Sequence, residues 1–207
     1  MNLPNLAENP SGLNHFVLHW PPSMQFANQQ FFDFCQLNSE LLIERNVHGD
    51  CEIMAPTGGE TGWRNLSLAA QLYNWAETDG SGVAFDSSTG FVLPNGAIRS
   101  PDVSWVKKSR LTALTPEQKQ GFLPLCPDVV IELKSPSDSL QKLQDKMQEY
   151  VANGALLGWL IVPEKRQVWV FRAGEAAVVL DEPLRVSGEG VLQGFMLAVE
   201  SLWQVGF

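Results

Sequence analysis

Cysteine is scarce in this 207-residue chain: Cys35, Cys51 and Cys126 are widely spaced and form no CxxC pattern. That excludes a disulfide framework and a cysteine-based zinc site, and it suits a reducing, cytoplasmic compartment. Histidine is equally sparse, and His15, His19 and His48 show no mutual spacing for a metal site or a general base. Neither a GxSxG turn nor a phosphate-cradling GxxxxGK[ST] loop is present. Long hydrophobic runs are missing too. Nothing approaches membrane-spanning length, and the N-terminus lacks a basic segment leading into an apolar one, so neither a membrane partner nor a leader is expected. Positive charge is also short. Lys and Arg number 14 against 23 Asp and Glu, and a net charge of −9 argues against bulk electrostatic binding to nucleic acid.

What is present is enough for one α/β domain with a real core, at 44% hydrophobic and 18% charged residues. The few basic residues are concentrated. From Arg99 to Lys146 eight of them face six acidic ones, so an acidic chain keeps one locally positive stretch. Inside that stretch lies Pro127-Asp128-Val129-Val130-Ile131-Glu132-Leu133-Lys134, an apolar run ended by Ser135-Pro136 that reads as a buried central strand. Side chains alternate along a strand, which puts Val130, Glu132 and Lys134 on one face and Val129, Ile131 and Leu133 on the other. Ionised groups on a buried strand are costly unless paired with each other, with a metal ion or with a substrate phosphate.

In chain order, residues 1–22 read as a Pro- and Asn-rich arm that leads into a single domain over 23–207. Ser23 is the expected cap of a helix over 24–37. Strands are expected at 41–45 and 51–55 around the turn 46–50. The loop Pro56 to Gly62, with three glycines, feeds a helix over 63–78 with Leu66, Ala69, Ala70, Tyr73 and Ala76 as its core stripe. Short strands at 83–85 and 91–93 precede a strand over 100–106, on which Asp102, Ser104 and Val106 share a face. Thr115-Pro116 starts a helix. After the central strand, Ser137 or Asp138 caps a helix over 139–152 that Asn153-Gly154 stops. Strands at 156–162 and 167–172 form a hairpin, 176–180 is a further strand, and 195–203 packs on the sheet.

Two carboxylates on adjacent strands, Asp102 and Glu132, can hold a divalent cation that prefers oxygen ligands, Mg2+ or Mn2+. Lys134 on the same face can orient a water or steady charge on a phosphate. That combination serves phosphodiester hydrolysis. An ordinary Glu-Lys pair on a half-exposed strand is the plainer alternative for Glu132 and Lys134. Lys142, Lys146 and Glu149 fall on one side of the following helix, which is most often a solvated face, and Tyr150 belongs to the core. If that helix covers the strand end, Lys146 becomes a second candidate for the catalytic cation. Glu60, in the glycine-rich loop at the entrance to a helix, is either a surface loop carboxylate or a third acidic ligand or water orienter, and Arg64 and Asn65 are either ordinary first-turn residues or phosphate contacts. Asp128 is a turn residue and a minor candidate ligand.

These residues also carry a resemblance. Pro101-Asp102, Glu132-Leu133-Lys134, Ser135-Pro136-Ser137-Asp138, Lys146-Met147-Gln148-Glu149-Tyr150, Asn153-Gly154-Ala155 and Gly158-Trp159-Leu160-Ile161 resemble the second-type Uma family of restriction endonucleases. Upstream, Ile53 to Gly62 and Phe85 to Gly90 look like its cyanobacterial branch, and through the family the chain is similar to the PD-(D/E)XK nuclease superfamily. The resemblance implies a restriction-endonuclease-like core, with a mixed central sheet flanked by helices. It further implies a divalent cation, usually magnesium, and hydrolysis of nucleic-acid phosphodiesters. Asp102 and Glu132 would be metal ligands and Lys134 the catalytic lysine. Many relatives keep only a lysine on the following helix; this chain has both Lys134 and Lys146. Glu60 lies in a motif of the family without an assigned role, and residues 1–22 have no counterpart. DNA is then the expected partner, and a homodimer would suit cutting two strands. The rival reading is a non-catalytic interaction protein that keeps the nuclease fold, which the acidic balance favours.

Overall fold

The computed structural model describes residues 15–21 and 26–206. In chain order the elements are β1 (His15–Leu18), α1 (Asn28–Leu37), β2 (Leu42–Arg45), β3 (Cys51–Met54), α2 (Gly59–Asp79), β4 (Gly82–Asp86), β5 (Phe91–Val92), β6 (Ile98–Arg99) and β7 (Val103–Lys107). They continue with α3 (Lys108–Thr112), α4 (Pro116–Gln120), β8 (Val129–Leu133), α5 (Leu140–Ala152), β9 (Leu157–Val162), β10 (Gln167–Arg172), β11 (Val178–Asp181), β12 (Arg185–Ser187), β13 (Met196–Ala198) and α6 (Glu200–Trp203). The six-stranded sheet runs β11-β10-β9-β8-β7-β4, the five-stranded sheet runs β1-β3-β2-β6-β5, and β12 pairs β13 alone.

The large sheet is mixed because β8 and β9 are parallel, joined by the crossover helix α5, while its other pairings are antiparallel. A parallel pair needs such a crossover and is covered on both faces. Every residue of β8 and β9 is accordingly buried. The expected alternation along β8 holds. Val129, Ile131 and Leu133 pack with Leu68, Leu72 and Ala76 of α2, and Val130 packs with Met147 and Tyr150 of α5. The helix lies close on the sheet at Gly158, where a Cβ would sit 2.5 Å from Met147 Cε. Phe31 of α1 closes the small sheet over Ile43, Cys51 and Ile98.

Several expectations shift. α1 begins at Asn28 with Ala27 as its cap position, and the expected cap Ser23 lies outside the described residues. Of the expected arm, His15–Leu18 form the edge strand β1 beside β3. α2 starts four residues early, with Gly58 at its N-cap, so Glu60 stands in its first turn and not in a loop. Its core stripe is Leu68, Leu72 and Ala76, while Leu66 and Tyr73 are 69% and 53% exposed. Both sets repeat at helical spacing, and only the sheet's position decides which one is covered. α5 is capped by Ser139, whose Oγ accepts the Lys142 N–H, instead of by Ser137 or Asp138.

Candidate functional site

Asp102 sits one residue before β7. β7 pairs with β8 through Val103 and Ile131, and where that ladder stops Asp102 Oδ2 accepts the Leu133 N–H at 2.7 Å. The carboxylate thus replaces a missing strand partner and is fixed beside the end of β8. Its Oδ1 accepts Asn65 Nδ2 of α2 at 3.2 Å, while Asn65 Oδ1 is buried with no donor among the described residues. The surroundings crowd out water and push the Asp102 carboxyl up to about 6, against the pull of the Leu133 N–H, Lys146 and Asn65.

Glu132 is 4% exposed on the α5 side of β8. Its Oε1 takes the Tyr150 hydroxyl at 3.0 Å and the Lys146 ammonium at 2.9 Å. No donor among the described residues reaches Oε2. Burial pushes this carboxyl up to about 7; repulsion from Asp102 and Glu44 adds to that, and Lys146 opposes it.

Lys146 also binds Glu44 Oε1 of β2 at 2.9 Å. Glu44 is buried, yet Lys146, Arg99 and the Ser100 N–H hold its carboxyl below the usual range. Arg99 in turn contacts Glu44, Glu52 and Glu149. The inward side of α5 is therefore not a solvated face: Lys146 and Glu149 both serve this network, and Lys142 alone of the three is exposed. Two cations here meet four carboxylates, those of Glu44, Glu52, Glu132 and Glu149.

The other expected residues stand apart. Lys134 and Glu132 do not pair with each other. Lys134 Nζ meets Glu164 Oε1 at 2.8 Å and the Ser135 carbonyl at 3.0 Å, at the end of β8. Glu60 pairs with Arg64 one turn on, at 3.1 Å, with its side chain 64% exposed. Arg64 also donates to the Leu202 carbonyl. Asp128 accepts the Lys107 N–H and Arg110 at the opposite end of β7, away from Glu132. Sequence reasoning missed Glu44 and gave Tyr150 no more than a core role. Tyr150 stands at i+4 from Lys146, a spacing that could have placed both on one strand residue.

The residues fit a hard divalent cation. Two carboxylates are raised by burial, and an acceptor beside Asp102, Asn65 Oδ1, lacks a donor among the described residues. Among the described residues no three His, Cys, Asp or Glu side chains form a metal-holding group, so the candidate set is the pair with that amide. No helix of the described residues is long and apolar enough to cross a membrane.

A crystal structure of a putative nuclease belonging to DUF820, from Anabaena variabilis, matches this fold with a TM-score of 0.69 at 21% identity. The match covers 86% of this chain and 97% of that one, which shows a shared architecture. No curated protein matches the chain. The Uma2 family model, described as a putative restriction endonuclease, matches residues 28–200. Spanning most of the chain and both site strands, that match makes this protein a member of the Uma2 family.

Proposed function

We propose that this protein is a divalent-metal-dependent endonuclease acting on DNA. The observation that carries the reading is the pair Asp102 and Glu132, acids from adjacent strands raised together in one crowded site. Such a pair is costly to the fold and gains its justification from a positive partner. A magnesium or manganese ion held by the two carboxylates would supply Lewis-acid chemistry to a phosphate and a water.

The chain's own residues do the arranging. The Leu133 N–H and Asn65 hold Asp102 in place, while Tyr150 and Lys146 take Glu132 Oε1 and leave Oε2 toward the ion. Lys134 is the residue to orient the attacking water once a phosphate draws it from the half-exposed Glu164. Lys146, bound by two carboxylates, is held charged and serves as the fixed counter-ion. Glu60 has its charge taken by Arg64 and is the weakest member of the set.

The test is cleavage of plasmid DNA with and without Mg2+ or Mn2+. Asp102→Ala and Glu132→Ala are expected to lose on the order of a thousandfold in rate while remaining folded, a loss of about 4 kcal/mol in transition-state stabilisation. Cleavage without a divalent ion, or persisting in Glu132→Ala, overturns the reading. Calorimetry that finds no ion binding would instead favour a non-catalytic interaction protein on the same fold, the reading that the net charge of −9 supports.

A further inference from the structure

Glu44 has no part in the chemistry above, yet it is 2% exposed and its oxygens are fully engaged. Oε1 accepts the Ser100 N–H at 2.8 Å and Lys146 at 2.9 Å, and Oε2 takes Arg99 at 3.1 Å. Neither cation needs it for charge. Lys146 already has Glu132 at 2.9 Å, and Arg99 already has Glu52 and Glu149. The Glu44 carboxyl is held charged by Lys146, Arg99 and the Ser100 N–H, yet each of those cations has another acid beside it. Its geometry gives it another task. A lysine is a flexible stem with three rotatable donors and would rest on either oxygen of Glu132. With Glu44 gripping the same ammonium from the small sheet, Lys146 has one place to lie.

We propose that Glu44 is a positioning residue: it pins the Lys146 ammonium to Glu132 Oε1 and so keeps Oε2 turned toward the reacting centre. This deepens the nuclease reading and rests on it, but its first readout needs no activity. The hold comes from another sheet. β2 anchors Glu44, the Ser100 N–H fixes its rotamer, and Arg99 ties it to Glu52 of β3 and Glu149 of α5.

The experiment uses the full chain and the variants Glu44→Gln and Glu44→Asp. A pinned ammonium exchanges its protons slowly and gives a side-chain 1H–15N signal, assigned by its loss in Lys146→Arg. The wild type is expected to show that signal and Glu44→Gln to lose it, with the backbone spectrum otherwise kept. In Mg2+-dependent cleavage kcat is expected to fall about tenfold or more with KM changed less than about twofold, since the ground-state contacts to DNA are untouched. Glu44→Asp keeps the charge beside Arg99 but falls a methylene short of Lys146. It covers the case in which the amide variant does not fold, and is expected to lose signal and kcat together. A folded variant that keeps the Lys146 signal and the wild-type kcat overturns the proposal. A wild type that cleaves nothing while its ammonium signal still depends on Glu44 overturns the nuclease reading and leaves the positioning standing.

Discussion

The two larger sheets place their charge in opposite ways. In the six-stranded sheet the central strands β8 and β9 are buried throughout, and Glu132 is the one ionisable side chain in them. In the five-stranded sheet charge sits in the middle: Glu44 and Arg45 on β2, Glu52 on β3 and Arg99 on β6. The first sheet is stabilised by apolar burial, with a single expensive acid; the second is built around ion pairs. Their meeting point, where Lys146 spans Glu132 and Glu44, is where the candidate chemistry lies. A site at such a seam takes rigidity from one sheet and electrostatics from the other.

The hardest blow to the apolar side is Trp159→Ala. Trp159 is fully buried and stacks on Phe195 with ring centroids 6.2 Å apart. Truncation should cost about 3–5 kcal/mol, and melting should fall by about 3 °C for each of them. Trp159→Phe should cost far less, because the indole N–H has no acceptor among the described residues and its removal forfeits no hydrogen bond. Equal losses in calorimetry would mean that the indole N–H is bonded after all.

The charged side is broken by Lys146→Met. Glu44 keeps Arg99, but Glu132 keeps only the Tyr150 hydroxyl, and an uncompensated buried carboxylate should cost about 3 kcal/mol near pH 8. Glu132 escapes the penalty by protonation. Its carboxyl already lies at about 7 with the lysine present and must rise when that cation goes, so the cost should shrink as pH falls to about 5.5. A pH-independent cost in denaturant titrations would show that the loss is one of packing.

Much of the apolar sheet was legible in the sequence. Val129-Val130-Ile131 is β-branched and ends at Ser135-Pro136, Asn153-Gly154 stops α5, and Pro163 separates two apolar runs, so β8, α5, β9 and β10 could be read off punctuation and periodicity. Asp102 and Glu132 were legible for the same reason, since each lies at the end of such a strand. In the charged sheet β2, β3 and β5 were legible as strands, but β1, β6 and the ion pairs were not. β6 is two residues long, and the Glu44–Lys146 pair joins positions 102 apart, a proximity that no local pattern encodes. α2 carried two apolar stripes, and the sequence does not say that Leu68 and Leu72 win over Leu66 and Tyr73. Asn65 came to Asp102 through that same helix placement.

Asp102→Asn probes the seam with a smaller effect. The Asp102 carboxyl is raised from an ordinary 3.8 to about 6 in the folded protein. Below pH 4 the acid is protonated in both folded and unfolded chains and costs nothing. As pH rises the unfolded chain ionises first, so this group's contribution to stability is lost through pH 6. Asparagine does not titrate. With EDTA present, Asp102→Asn should gain on the wild type between pH 4 and 7. The gain should be about 1–2 kcal/mol, less than the shift alone implies because one of its two hydrogen bonds is given up. A wild-type advantage that grows with pH would place a compensating cation at Asp102 in the folded chain.

The smallest change in stability belongs to Lys134→Met, and it separates the two lysines most sharply. Lys134 pairs with Glu164, whose side chain is 47% exposed, and an ion pair of that kind contributes at most about 1 kcal/mol. Losing it should leave the melting temperature within about 3 °C of the wild type, where Lys146→Met falls well below. In cleavage the order should differ. Lys134 can leave a solvated acid for a phosphate at little cost, whereas Lys146 would have to abandon two buried carboxylates. A folded, stable Lys134→Met protein that loses about a hundredfold in rate identifies Lys134 as the residue that orients water. One that cleaves like the wild type moves that work to Lys146, and with it the catalytic charge passes from the apolar sheet to the network held by Glu44.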